Sequence, residues 1–411
     1  MGSNQINSVF IDIDEAQKKL KQSLSPTTQV ETVELTHLHD RILAEDCKSS
    51  IDVPLFNCSA MDGYALHFTS SKLPGKLRLI GASYAGAPFV GSVAVGECIR
   101  IMTGAVVPSD CDTVVAQENV VIHDGTIEFK SSIRKGDNVR YRGEEIKAGD
   151  SLIDAGTRLG AGAVSLLANT GHRSARVFSK IRVGIFSTGD EIVEPGEVLN
   201  PGCIYDSNRY ALMSLLDKLA VEVIDLGALP DDEELIKERL IAATLKVDAL
   251  ITSGGVSVGD ADYITKVVGE SGKLNFWKIS VKPGKPFAYG ELEGIPFFGL
   301  PGNPVAVFVS CYQLVIPALK QMMGMTDTST GPMFKVKTLN DLKKSPGRTE
   351  FQRGKLVSGG DGELAVETTG MQSSAALSSL VRGDCFIVLS KQCAGAVKGE
   401  HVNIQRFETL I

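Results

Sequence analysis

Between Lys180 and about Met323 the chain alternates between two hydrophobic rhythms, and this alternation constrains the fold more than any other feature. IRVGIFST, VEVIDLGAL, VDALITSG, NFWKISV, PFAYGEL and IPFFGLPG are short runs rich in β-branched and aromatic residues, as strands are. Between them, DSNRYALMSLLDKLA and DDEELIKERLIAATL carry apolar residues at helical spacing. The second opens with acids that suit a helix N-terminus, and Pro304 is placed to open a last helix. Strand and helix in alternation imply a doubly wound parallel sheet with helices on both faces. Ligands of such sheets bind beyond the carboxyl ends of the strands. The loops STGDE (Ser187 to Glu191), LPDDEE (Leu229 to Glu234), SGGVSVGDADY (Ser253 to Tyr263) and GLPGNP (Gly299 to Pro304) are therefore expected on one rim.

The rest of the chain has other rhythms. Ala16, Leu20 and Leu24 mark one face of an early helix. From Ile51 to about Glu145, short β-like runs separated by Gly, Pro and Asp read as an all-β unit inserted into a helical domain. DAGTRLGAGAVSLLANTGH reads as one helix, with Thr157 as N-cap and Gly171 as C-cap. After TSTGP the chain turns β-rich again. The expected division is a platform from 8–52 and 146–178, an inserted β domain at 53–145, an α/β domain at 179–327 and a C-terminal β domain at 328–411.

A net charge of −7 does not favour nucleic acid, so an anionic ligand must be held locally. The eight cysteines have no CxxC spacing, and the N-terminus has no basic start followed by an apolar stretch. Both point to a reducing cytoplasm. Asn303 to Met323 is broken by polar residues and Pro317 and is expected to be a buried helix, not a membrane span.

Chemistry concentrates in a few motifs. SGGVSVGDADY combines Ser253, Gly254, Gly255 and Ser257 with Asp260 and Asp262. Glycine turns at helix starts cradle phosphate, whereas paired aspartates repel it unless a cation intervenes. Lys278, Lys282 and Lys285 lie in one short stretch and would supply point charge to a polyanion. Lys278 and Lys282 share a face if that stretch is extended. PLFNCSAMDGYAL reads as a compact Met-Asp-Gly turn at the start of the insertion, and RYRGEEIKAGD closes it. The edges of an insertion lie close together, so these two motifs are expected to face one site. Arg348, Arg353 and the serines of GMQSSAALSSL suggest a small oxyanion receptor. No Walker A loop or dinucleotide fingerprint is present, which leaves ATP and NAD sites of those types unsupported.

In order, SAMDGYA, TGAVVP, RGEE, KAGD, FSTGDE, YDSN, SGGVSVGDADY, KPGKPFA, GLPGNPV and MQSSAALSSL resemble the molybdopterin molybdenumtransferase family of MoeA and the gephyrin E-domain. The resemblance spans nearly the whole chain. It implies an elongated homodimer of four-part subunits: a split α+β platform, a β insertion, a molybdopterin-binding α/β domain and a C-terminal β-barrel-like domain. The active site would lie between the α/β domain of one subunit and the insertion of the other. The implied reaction joins molybdate to the dithiolene of adenylated molybdopterin with Mg²⁺, releasing AMP, after a molybdopterin adenylyltransferase has supplied the substrate. By the same resemblance Asp62, Glu191, Asp231 and Asp262 match acidic site positions, with Asp62, Glu191 and Asp262 as metal ligands. Lys278 and Lys282 match basic ones, and Thr103, Pro301, Pro304 and Ser374 also match. Lys285 and Arg353 join the substrate-binding set. Glu145 stands where the family usually has Asp, one methylene longer. Two alternatives remain: an adenylyltransferase-like enzyme, which shares the SGG loop but lacks the insertion, and a scaffold or carrier of the pterin.

Overall fold

The computed structural model describes residues 10–69, 76–256, 263–359 and 362–407. Six strands form the α/β sheet: β1 (Arg182–Thr188), β2 (Glu222–Leu229), β3 (Ala249–Ser253), β4 (Gly272–Lys278), β5 (Pro286–Leu292) and β6 (Ile295–Leu300). Their spatial order is β2-β1-β3-β6-β5-β4. The first four are mutually parallel, while β5 runs against both of its neighbours. Helices α1 (Asn208–Leu216), α2 (Glu233–Thr244) and α3 (Tyr263–Ser271) alternate with the strands as expected. The side chain of Asp232 caps α2 by accepting from the Leu235 N–H at 2.9 Å. The order reverses at β1, whose neighbours β2 and β3 are reached in opposite directions, so the crevice above β1 and β3 is the switch point where such sheets take ligands.

Two apolar layers cover the sheet. On one face Ile236, Leu240 and Ala243 of α2 meet Ile264, Val267 and Val268 of α3. On the other, Leu212, Leu215 and Leu216 of α1 pack with the long helix that begins at Pro304. That helix runs to Met322 through a π-helical stretch at Cys311–Val315. It is long and apolar enough to cross a membrane by composition, but it is mostly buried within the protein. Pro317 removes the N–H that would bond the Gln313 carbonyl in an α-helix. Gln17 donates to that carbonyl instead, from Nε2 at 2.8 Å.

Gln17 belongs to the helix Ile13–Ser23, whose Ala16 and Leu20 are buried in the same core as the long helix. Ser23 donates to the Tyr289 hydroxyl on β5 at 2.9 Å. The first helix is thus built onto the α/β domain. The platform itself pairs Val30–Glu34 with Ser174–Phe178 and Cys47–Lys48 with Ser151–Ile153, around Leu38, Leu43, Leu159 and Leu167. Its helix is Ala161–Asn169, capped by Gly160 rather than Thr157. Thr157 instead lends its carbonyl to Leu43 in a turn. Gly171, at φ +82°, ends the helix as expected.

The insertion is a six-stranded sheet in which Gly63–Leu66 is the second strand, between the edge strand Thr113–Ala116 and Glu97–Ile101. The expected Met-Asp-Gly turn is a bend at 60–62, and its glycine already opens this buried strand. Gly63 is obligatory because a Cβ there would lie 2.0 Å from the Val115 carbonyl oxygen. In the C-terminal domain, Thr349–Ser358, Leu364–Thr368, Phe334–Thr338, His401–Arg406 and Cys385–Leu389 close into a barrel. Val281–Lys282 of the α/β domain pairs onto its first strand.

Candidate functional site

The four loops do share a rim, because β1, β2, β3 and β6 all end there. The Gly189 N–H bonds the Leu229 carbonyl at 3.2 Å, and the Gly254 N–H bonds Leu300 at 3.1 Å. Asn208 Nδ2 reaches the Gly302 carbonyl at 2.8 Å. Gly254 and Gly255 adopt φ +94° and +65°. A Cβ on Gly254 would lie 2.7 Å from the Thr188 carbonyl oxygen, and one on Gly255 would lie 2.6 Å from Ile264 Cγ1. Only glycine lets this turn press onto the end of β1. Ser253 is buried at the end of β3. Ser257, Asp260 and Asp262 lie outside the described residues.

Carboxylates crowd the same rim. The Asp231 N–H donates to Asp190 Oδ1 at 3.0 Å. Burial, then Asp190 and Glu191, push the Asp231 carboxyl above the usual carboxylate range. Glu191 is exposed, with its carboxylate against Gly189. Among the described residues no cluster of three or more His, Cys, Asp or Glu side chains forms a metal cage. A hard divalent ion that keeps its waters and takes one or two carboxylates plus substrate phosphate needs no such cage, and Asp231 with Asp190 and Glu191 beside it offers the oxygen ligands it prefers.

The lysines separate. Lys278 ends β4, whereas Lys282 lies on the short strand joined to the barrel. Lys282 Nζ lies 3.3 Å from Glu350, and Lys285 Nζ sits 5.0 Å from the centre of the Phe10 ring. Pro301 is buried, and Pro304 opens the long helix. The Val305 N–H is taken by the Ser374 carbonyl at 3.0 Å, which brings Ser374 to the Pro301–Pro304 turn. Arg353 is not presented as an open receptor. It is 1% exposed in the barrel wall, with Nε donating to Ser379 Oγ at 2.9 Å and Nη2 to the Ser373 carbonyl at 2.9 Å. A buried cation must satisfy its donors, and the segment carrying Ser374 supplies the acceptors. Burial pushes this guanidinium down to about 10. Arg348 stays exposed in the turn before that strand.

The insertion motifs meet at its base. Val139 pairs with Ser59 and Arg140 with Cys58. Asp62 Oδ1 accepts from the Thr103 N–H at 2.8 Å and from Thr103 Oγ1 at 2.7 Å, and these bonds hold its carboxyl below the usual range. Arg140 Nε binds Glu144 at 2.7 Å, and its Nη2 lies 3.3 Å from Glu145. Among the described residues, the hydrogen bonds and ion pairs of Asp62, Thr103 and Glu145 stay within the insertion.

The sequence reading did not single out Asp190, Thr188 or Arg209. Arg209 is buried among Asp206, Asp225 and Glu194. The acid–base spacing of Asp206 and Arg209, at the start of a helix, was the available signal.

Glycine turns and carboxylates at the switch point of a doubly wound sheet, carried beside an inserted β domain and a closed barrel, define the class: a multidomain α/β protein whose sheet has its ligand crevice at that rim. Comparison gives the particular family. Family models match 11–171 (MoeA N-terminal region, domain I and II), 184–321 (probable molybdopterin binding domain) and 335–407 (MoeA C-terminal region, domain IV). The chain is 42% identical to the molybdopterin molybdenumtransferase of Haemophilus influenzae, across 98% of this chain and 100% of that one. A Nostoc relative with the same description is 34% identical across 82% and 79%. A solved molybdopterin biosynthesis MoeA protein from Pyrococcus horikoshii superposes with a TM-score of 0.84 at 29% identity, covering 97% of this chain and 100% of that one. The chain belongs to the molybdopterin molybdenumtransferase family, a family of transferase enzymes.

Proposed function

We propose that this protein works in molybdenum cofactor biosynthesis, joining molybdate to the dithiolene of adenylated molybdopterin with release of AMP. The observation that carries the reading is the rim itself, where the Gly254-Gly255 turn and the Asp190, Glu191 and Asp231 carboxylates share one crevice. The turn accepts the phosphate-bearing part of the pterin. Glu191 and Asp262, with Asp62, would hold Mg²⁺, which supplies neutralisation of phosphoanhydride charge when bound. Lys278, at the end of β4, would add positive charge to the phosphate-bearing ligand, with Lys282 and Lys285 following it in the chain. Ser374, beside the Pro301–Pro304 turn, lines the place for molybdate, and Arg353 fixes that segment from inside the barrel.

Asp62, Thr103 and Glu145 belong to the same chemistry through a second copy of the chain. Among the described residues their hydrogen bonds and ion pairs stay within the insertion, and a homodimer that sets the insertion of one subunit over the rim of the other completes the site. A cytoplasmic adenylyltransferase supplies the substrate. Purified protein is mixed with adenylated molybdopterin, Mg²⁺ and molybdate, and AMP is followed. Molybdate-dependent AMP release, with a product that reconstitutes a cofactor-free molybdoenzyme, is expected. Tight pterin binding without that release points to a carrier, and consumption of ATP with unadenylated molybdopterin points to an adenylyltransferase.

A further inference from the structure

Arg209 occupies the first turn of α1 at 2% exposure. A cation there faces the positive end of the helix dipole and gives up its hydration, so its partners must offset both. They approach from three directions. Nε donates to Asp206 Oδ2 at 2.9 Å, Nη1 to Asp225 Oδ1 at 2.6 Å, and Nη2 to Glu194. The Tyr210 hydroxyl also bonds Glu194.

These partners lie on the two pieces of chain that carry the rim carboxylates. Glu194 follows Asp190 and Glu191 in the loop leaving β1. Asp206 closes the same loop and accepts from Ser187 Oγ on β1 at 3.1 Å. Inside the loop, Ile192 and Val193 pair with Ile204 and Tyr205, and the Ile204 N–H bonds the Glu191 carbonyl at 2.8 Å. Asp225 lies on β2 where that strand bulges. The pairing passes from Ile185 with Asp225 to Ser187 with Ala228, and the Gly227 N–H bonds Asp225 at 2.9 Å. The bulge re-aims the end of β2, which leads directly to Asp231. One guanidinium therefore ties the departure and return of the Glu191 loop to the strand that delivers Asp231. A lysine ammonium has no planar fork with which to hold three carboxylates in fixed directions.

We propose that Arg209 is a positioning residue for the rim, fixing the spacing between the Asp190–Glu191 loop and Asp231 without touching substrate. This rests on the transferase reading for its kinetic consequence, but the clamp itself is measurable without turnover. Amide hydrogen exchange of 188–206 and 229–232 is compared in the wild type, Arg209→Lys and Glu194→Ala. The second variant removes one arm at a residue that is 41% exposed, where folding is not at stake. Both variants are expected to exchange faster in those two segments, with 263–292 unchanged. For AMP release, kcat falls about tenfold or more in Arg209→Lys while KM for the pterin stays within about twofold, because misplaced groups lose transition-state contacts first. Unchanged exchange overturns the proposal, as does faster exchange with wild-type kcat. If Arg209→Lys does not fold, Glu194→Ala with wild-type exchange and kcat overturns it. If the wild type itself releases no AMP, the transferase reading has failed, and exchange alone decides the clamp.

Discussion

Replacing Gly255 by alanine tests whether the turn at the end of β3 is as tightly specified as its geometry states. Two costs add. At φ +65° an L-residue carries a backbone penalty of roughly 1–2 kcal/mol. The new Cβ would also lie 2.6 Å from Ile264 Cγ1 and 2.7 Å from Thr188 Oγ1. Ile264 is 0% exposed and Thr188 is 4% exposed, so neither neighbour can swing into solvent. Overpacking of this kind costs about 1–3 kcal/mol. The sum is about 2–5 kcal/mol. Gly171→Ala is the control: its φ is +82°, and an added Cβ meets nothing within 4 Å, so only the backbone term applies. Far-UV circular dichroism in urea follows the unfolding. Gly255→Ala should lower the stability of the α/β domain by about 2–5 kcal/mol and also slow AMP release. A Gly255→Ala protein within about 0.5 kcal/mol of wild type would refute the close-packing argument, because even the backbone penalty would then be missing.

Asp62→Asn should lose turnover while keeping wild-type circular dichroism, and Thr103→Val, which keeps the backbone N–H bond to Asp62, should lose less; steady-state AMP release ranks the two. Glu145→Asp should remain active and Glu145→Gln should not, in the same assay, if Glu145 supplies charge to the shared cleft. The raised Asp231 carboxyl makes the folded state hold a proton to higher pH than the unfolded chain. Its contribution to stability is therefore full below the unfolded value and is lost as pH rises through the raised folded one, so the stability of Asp231→Asn relative to wild type should grow across that window; urea midpoints between about pH 3 and 7 measure it. Light scattering at micromolar concentration should give a dimer, and a stable monomer there would count against a site shared between subunits.

The sequence by itself determined what depends on neighbours along the chain. Strand and helix periods, the acid-capped start of α2, the glycines at the ends of β1 and β3, and Pro304 at a helix start act over a few residues, and each was legible. Because parallel strands end together, the common rim followed from the alternation alone. Tertiary structure decided the rest. The Met61-Asp62-Gly63 turn was legible, but that the next residues, Gly63–Leu66, form a buried interior strand was decided by Thr113–Ala116 and Glu97–Ile101 arriving on both sides of it. The helix Ile13–Ser23 has one apolar face in any reading, but the long helix with its proline-altered hydrogen bonding selects where that face goes. Arg353 and Arg209 look like surface cations in sequence. Burying either guanidinium requires acceptors: for Arg353 from a segment 18–26 residues away in the chain, for Arg209 from carboxylates 3, 15 and 16 residues away. Whether a charge is solvated or becomes a strut is set by those partners, and no local pattern states when they will meet.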